Sequence, residues 1–335
     1  MLDQPIIAPR HGGALLAASA RYGVPPKAWL DLSTGITPHP YPVGEIADVA
    51  LHRLPDPASL AALIDAAGAA YGTPRDAAVA AVPGTDLALR LLPLLAPAGP
   101  VAILGPTYAG HAEAWHDAGR DVRLAPSLVE LAPGCRIVIV VNPNNPDGRL
   151  IAPEALLAVA QRLAALGGLL VVDEAFADVD PSASVIPRLS GEPVIVLRSF
   201  GKFYGLAGLR LGFAIGDTER VGRLGRLLGD WPVSGTAIDL GRRALADTDW
   251  QAAARARLRH GRARLAGTLA AAGIDIAGGT DLFQFAYAAD SIRLHEALAR
   301  QGVWTRIFDD QPGRIRFGLP AEDQFDRLAA ALARC

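Results

Sequence analysis

The segment Ile137-Val-Ile-Val-Val-Asn-Pro-Asn-Asn-Pro-Asp-Gly148, the helix-patterned stretch Pro153 to Leu166 and the segment Leu169-Leu-Val-Val-Asp-Glu-Ala-Phe176 decide the fold. The outer two are unbroken aliphatic runs that end abruptly in polar residues, which is how strands buried on both faces read. With a helix between them they form a βαβ unit, the building block of a mostly parallel, two-sided sheet. The rhythm continues outward. Short β-like runs fall at Val101–Leu104, Val194–Leu197 and Leu211–Ile215, and helical spacing falls at Ala47–Tyr71, Thr85–Leu95 and Tyr108–Ala118. The expected class is therefore α/β, with a mostly parallel central sheet in a large domain.

The flanks read differently. The first forty residues, rich in Pro and Gly, predict an irregular arm. Beyond Pro232 the pattern predicts a long helix (Ala237–Ala272), a strand (Leu282–Tyr287), a helix (Ser291–Gln301), strands at Val303–Ile307 and Arg314–Leu319, and a final helix (Glu322–Ala333). That is a small α+β domain. The expected division is an arm over residues 1–45 lying over the site, a large domain over 46–235 and a small C-terminal domain over 236–335.

At 335 residues, 51% apolar and 20% charged, the chain can bury a sizeable core and does not read as disordered. Its 32 basic and 34 acidic residues balance to −2, which argues against a nucleic-acid surface or a polybasic membrane surface. Leu91 to Ala112 carries no charge, yet Pro93, Pro97, Pro100 and Pro106 would break a membrane helix several times. The start, with Asp3 and no basic-then-apolar run, is not a secretory signal, so a cytoplasmic protein is expected. Cys135 and Cys335 form no CxxC or Cys/His cluster, and His39, His52, His111, His116, His260 and His295 show no ligand spacing. No metal is expected, and these histidines read as structural or exposed.

In open α/β sheets ligands sit at the carboxyl ends of the strands, so the polar residues after each run carry the functional signal. They are Pro83-Gly-Thr-Asp86, Gly105-Pro-Thr-Tyr108, Asn142-Pro-Asn-Asn-Pro-Asp-Gly148, Asp173-Glu-Ala-Phe176, Arg198-Ser-Phe-Gly-Lys202 and Gly205-Leu-Ala-Gly-Leu-Arg210. Singly, each reads as capping or turn chemistry. In this order and spacing they resemble the fold-type-I pyridoxal-phosphate enzymes of the aminotransferase superfamily, from the arm to the last strand.

That resemblance implies pyridoxal 5'-phosphate as cofactor and assigns the residues to it. Lys202 would link covalently to the cofactor aldehyde, Asp173 would pair with the pyridine nitrogen, and Asn145 would donate to the ring phenolate oxygen. Tyr108 would stack on the ring, and Gly84, Thr85 and Asp86 would present backbone N–H groups to the phosphate with Ser199 and Arg210. The finer resemblance is to threonine-phosphate decarboxylases of cobalamin synthesis, themselves close to histidinol-phosphate aminotransferases. It rests on His11-Gly-Gly13, Asp31-Leu-Ser-Thr-Gly-Ile-Thr-Pro38, Leu54-Pro-Asp56 and Arg198-Ser-Phe-Gly-Lys-Phe-Tyr204. It implies a homodimer acting on a phosphorylated amino acid, with His11, Gly12 and Gly13 at the substrate phosphate and Arg316 at the carboxylate. Arg314, on the same strand face, is the neighbour that could be mistaken for Arg316.

A transaminase is the alternative within the family. A non-catalytic pyridoxal-binding regulator is the alternative outside it; near-neutral charge and the lack of a preceding helix-turn-helix count against it. Four departures stand out: Leu54 replaces the tyrosine that reaches a partner's cofactor phosphate, Gly35 and Thr236 replace asparagines, and Asp147 replaces the threonine of NPNNPTG.

Overall fold

A computed structural model describes residues 12–131 and 134–335, so His11 lies outside the described residues. In chain order the strands are β1 (Leu30–Asp31), β2 (Ala78–Val82), β3 (Val101–Leu104), β4 (Val122–Ala125), β5 (Ile137–Val141), β6 (Leu169–Asp173), β7 (Val194–Ser199), β8 (Gly212–Gly216), β9 (Asp275–Thr280), β10 (Phe283–Tyr287), β11 (Val303–Trp304), β12 (Arg306–Ile307) and β13 (Arg314–Gly318). They belong to two units, Pro40–Ala253 and a smaller one that joins the N-terminal segment through His39 to Ala254–Cys335.

The larger unit holds a seven-stranded sheet in the order β2-β8-β7-β6-β5-β3-β4. Only β8 runs against its neighbours; the other pairings are parallel. Along β3, β5, β6 and β7 the odd-numbered residues, such as Ile103, Ile139, Val171 and Leu197, join Leu89, Leu92, Trp115 and Leu224 of the covering helices in one core. Helices Pro57–Ala70 and Pro153–Ala164 pack on β2 and β6. From β3 the chain moves outward to β4, whereas from β5 it moves the other way to β6, so the loops after β3 and β5 part and leave the crevice where α/β sheets bind ligands. The uncharged stretch Leu91–Ala112 resolves into a helix end at Leu95, a loop, β3 and the start of helix Ala109–Asp117. Among the described residues no helix is long and apolar enough to cross a membrane.

In the smaller unit an antiparallel sheet runs β12-β13-β10-β9, and β1 pairs in parallel with β11. Trp29 and Trp304 meet edge to face at 5.6 Å, and Trp304 Nε1 donates to Gly13 O at 2.8 Å, which ties the start of the described chain to β11.

Several elements differ from the sequence reading. The arm contains a helix, Leu15–Tyr22, ended by Gly23 at φ 71. The single helix expected over Ala47–Tyr71 is two, Val49–His52 and Pro57–Ala70, because Asp56 caps the second through Ala58 N and Pro57 begins it. The long helix expected over Ala237–Ala272 breaks at Asp247. Its carboxylate accepts from Trp250 N, and the Gln251 amide donates to the carbonyls of Ala244 and Leu245. Helix Gly235–Ala246 packs on helix Pro57–Ala70 in the larger unit, and the boundary between units falls at 253/254, inside the following helix, not at 235/236. The sequence pattern does not signal strands β1, β2, β4 and β9; β2, Ala-Val-Ala-Ala-Val, has too little β-branched content to read as a strand.

Candidate active site

Asp173 is the last residue of β6 and is 5% exposed. Its Oδ2 lies 2.9 Å from His111 Nε2, and its Oδ1 accepts from Ala175 N at 3.0 Å. A buried carboxylate without partners is costly, and these two partners hold its orientation. His111 is wholly buried in the first turn of helix Ala109–Asp117, and Tyr108, which precedes that helix, meets it edge-on at 6.1 Å. Sequence reasoning set His111 aside. The spacing Tyr-x-x-His after a buried strand was the available signal, because residues three apart share a helix face.

Burial raises the Tyr108 phenol to about 12, with the carboxylates of Asp86, Asp173 and Glu113 adding to the effect, so it stays protonated at neutral pH. Its ring folds over Gly110, where a methyl group would lie 2.5 Å from Tyr108 Cε1.

A second cluster forms where β2 turns into helix Thr85–Leu95. Gly84 takes φ 84, and the helix begins without a side-chain cap, leaving first-turn N–H groups for a ligand. A methyl group on Gly84 would lie 2.4 Å from Arg210 Nη2, so a side chain there would push that guanidinium aside. Ser199 pairs with Gly212, and a methyl group there would lie 3.1 Å from Thr85 N. The register thus brings Ser199, beside Gly212, to the end of the sheet where Arg210 and the N-terminus of helix Thr85–Leu95 stand, donor groups of the kind that bind a phosphate. The Asp86 carboxylate turns to Arg90 at 3.3 Å.

Lys202 follows Ser199 in a turn anchored by Phe200 and Tyr204, whose buried rings stack at 4.2 Å. Its Nζ lies 5.7 Å from the centre of the Phe176 ring. Asn145 sits half-buried in the loop after β5. Its neighbour Asn144 accepts from Thr107 Oγ1 at 2.6 Å and donates to Pro106 O at 3.0 Å, which ties this loop to the one after β3. Asp147 accepts from Asn144 Nδ2 and Arg149 N, so the carboxylate that departs from the family threonine closes the loop.

The smaller unit holds the remaining candidates. Arg316 on β13 is 6% exposed; Nη2 donates to Ser33 O at 2.8 Å, and the guanidinium lies 5.0 Å from the Phe283 ring centre. Burial lowers its pKa to about 9, helped by Arg306, which stands opposite it across the β12–β13 ladder, and opposed by Asp31. Like charges facing across a ladder destabilise it unless an anion joins them. Arg306 was not among the sequence candidates. Arg314 is less buried and lies 5.2 Å from the Tyr287 ring centre.

Gly12 packs on the same Ser33, where a methyl group would come 2.5 Å from the carbonyl oxygen. Gly13, at φ 85, donates its N–H to Ser33 Oγ at 2.7 Å. That amide, expected at the substrate phosphate, is thus engaged inside the fold. His11 lies outside the described residues.

The model of the family "Aminotransferase class I and II" matches residues 30–332. The chain belongs to that family. It is 44% identical over 336 residues, 99% of each chain, to a threonine-phosphate decarboxylase of Sinorhizobium sp. It is 43% identical over 325 residues, 96% of each chain, to a threonine-phosphate decarboxylase of Pseudomonas aeruginosa. Among solved structures, the histidinol-phosphate aminotransferase of Sinorhizobium meliloti in complex with pyridoxal-5'-phosphate superposes with a TM-score of 0.78 at 22% identity. That match covers 96% of this chain and 94% of the other, and shows the shared fold. In this aminotransferase-family chain Leu54 is 69% exposed, Gly35 is buried, and Thr236 lies in the first turn of helix Gly235–Ala246.

Proposed function

We propose that this family member is a pyridoxal 5'-phosphate-dependent lyase that removes the carboxylate of L-threonine O-3-phosphate, yielding (R)-1-aminopropan-2-yl phosphate for cobalamin biosynthesis. The observation that carries the reading is the near full-length likeness, at 43 and 44% identity, to two enzymes named threonine-phosphate decarboxylase.

When bound, pyridoxal 5'-phosphate supplies an aldehyde that captures the substrate amine and a ring that takes up the electron pair of the bond broken at Cα. The donors of the larger unit suit it, as the phosphate cradle that a Gly84 side chain would fill illustrates. Gly84, Thr85 and Asp86 N–H, Ser199 and Arg210 would hold the cofactor phosphate, and Asp173, oriented by His111, would keep a proton at the pyridine nitrogen. Asn145 would donate to the phenolate oxygen, Tyr108 would stack on the ring, and Lys202 would carry the covalent link. At the substrate, Arg316 grips the carboxylate in a fork and orients the bond that breaks, while His11 with Gly12 holds the phosphate.

We also read the chain as a cytoplasmic homodimer. Val49, Leu51 and Leu54 are 54, 66 and 69% exposed along one short segment, an apolar surface suited to a partner. The thiols of Cys135 and Cys335 are both unpaired, which suits a reducing compartment.

The purified protein is to be offered O-phospho-L-threonine alone and, separately, histidinol phosphate with 2-oxoglutarate. Carbon dioxide release from the first, needing no keto acid, is expected. Amino transfer to 2-oxoglutarate without carbon dioxide release makes the chain a transaminase instead.

A further inference from the structure

Asp173 and Ser199 continue the faces of β6 and β7 that carry Val171 and Leu197. The residues beside them, Glu174 and Arg198, turn the other way and meet. Arg198 Nη1 donates to Glu174 Oε2 at 2.9 Å and Nη2 to Asp178 Oδ1 at 2.5 Å, with side-chain exposures of 2% for the arginine, 0% for Glu174 and 3% for Asp178. Glu174 also accepts from Ser184 Oγ at 2.6 Å and Val185 N at 2.8 Å, and the guanidinium lies 4.4 Å from the Tyr71 ring centre. Burial still raises the Glu174 carboxyl. Three charges taken out of water are a poor way to stabilise a core, because apolar residues of similar volume would hold it as well. What the network offers instead is a directional placement.

What it places follows from where the backbone pairing stops. The last bond between the two strands is Glu174 N to Leu197 O at 2.9 Å; past it, the arginine fork joins them. The two arms of the fork end on Glu174 and Asp178, the two ends of a tight turn whose middle residue is Phe176. Phe176 is the ring that lies 5.7 Å from Lys202 Nζ, and Lys202 stands four residues along the chain from Arg198. A single side chain thus anchors both the segment that carries the lysine and the turn that carries its aromatic neighbour.

We propose that Arg198, forked between Glu174 and Asp178, is a positioning residue that sets the surroundings of the Lys202 amine by holding Phe176 and Asp173 in register with the turn after β7. This rests on the reading that Lys202 carries the cofactor.

The test uses the purified full-length protein with pyridoxal 5'-phosphate bound. Borohydride fixation and peptide mapping locate the cofactor on Lys202 or on Lys27, the chain's only other lysine. The pH midpoint of the bound cofactor's visible absorbance is then compared in wild type, Arg198→Met, Asp178→Asn and Leu163→Ala, the last a buried core truncation in helix Pro153–Ala164. The expected result is fixation on Lys202 and a midpoint moved by about 0.5 pH units or more in both fork variants, with Leu163→Ala unchanged. Should Arg198→Met fail to fold, Asp178→Asn, which keeps the arm to Glu174, decides alone. Fixation on Lys202 with unmoved midpoints in the fork variants makes the network merely structural and overturns the proposal. Fixation on Lys27 overturns the site reading and this proposal with it.

Discussion

Asp173 Oδ2 and His111 Nε2 lie 2.9 Å apart at the carboxyl end of β6, with the imidazole wholly buried. The contact joins residues 62 positions apart and leaves the carboxylate one orientation. Asp173→Asn is expected to keep bound cofactor, seen by its absorbance, while turnover falls by about a hundredfold or more, the scale for removing a preorganised charged partner. His111→Phe removes the hydrogen bond to Asp173, worth ~1.5–3 kcal/mol, and lowers turnover by roughly ten- to a hundredfold. Near-normal turnover in Asp173→Asn excludes the assigned role.

His11 and Arg316 are expected to fail in different ways. Loss of either charged contact costs ~1.5–3 kcal/mol, read as a fall of roughly ten- to over a hundredfold in kcat/KM. His11→Ala should erode the preference for O-phosphothreonine over threonine, whereas Arg316→Ala should weaken both alike. An intact phosphate preference in His11→Ala reduces His11-Gly-Gly13 to a turn.

The guanidinium of Arg316 titrates at about 9 in the folded chain, because burial and Arg306 disfavour its charge. Between that value and the ordinary 12.5 the unfolded chain binds more protons, so this group's cost to ligand-free stability is relieved as pH rises. Affinity for an anionic substrate runs the other way. KM for O-phosphothreonine should be flat from pH ~7, where its phosphate is fully ionised, to pH ~9 and climb above it, and the climb should vanish in Arg316→Met. A KM that stays flat to pH 10.5 in wild type contradicts the assignment.

His295 donates or accepts at Thr305 Oγ1 across 2.7 Å and packs 4.6 Å from the Trp304 ring. Burial, with Arg21 and Arg306, lowers it from 6.5 to about 4. Protons then bind the unfolded chain more readily between those values, and stability is lost as pH falls through that window, by up to about 1.4 kcal/mol per unit. Urea midpoints measured from pH 7 to 4 should fall less steeply in His295→Gln than in wild type. Equal slopes would falsify the attribution.

Leu51 is 66% exposed beside Val49 and Leu54. Sedimentation velocity should give a dimer for wild type and a shift toward monomer for Leu51→Asp, since burying a carboxylate in an apolar contact is costly. A fully active wild-type monomer removes the dimer from the reading.

Much of the larger unit was legible in the chain itself. Ile137–Val141 and Leu169–Asp173 are buried runs that end in polar residues, and a parallel two-sided sheet forces both features: apolar interiors between helices, polar loops at the strand ends. Asn145, Asp173, Ser199 and Lys202 lie in the polar stretches that follow such runs, and the resemblance to the pyridoxal-phosphate enzymes singles them out together with Arg210.

Periodicity reports which face of an element is buried, never what stands across from it. That His111 meets Asp173, that Arg306 faces Arg316 and that Arg198 forks to Glu174 and Asp178 are consequences of strand order and register. The same holds for Gly13, whose amide is taken by Ser33 twenty residues away, and for Asp247, which breaks a helix that propensity alone would continue. Local sequence determined the elements and the polar residues at their ends. The tertiary structure decided the pairings, because a buried charge or amide finds its partner by proximity in the folded chain and not along it.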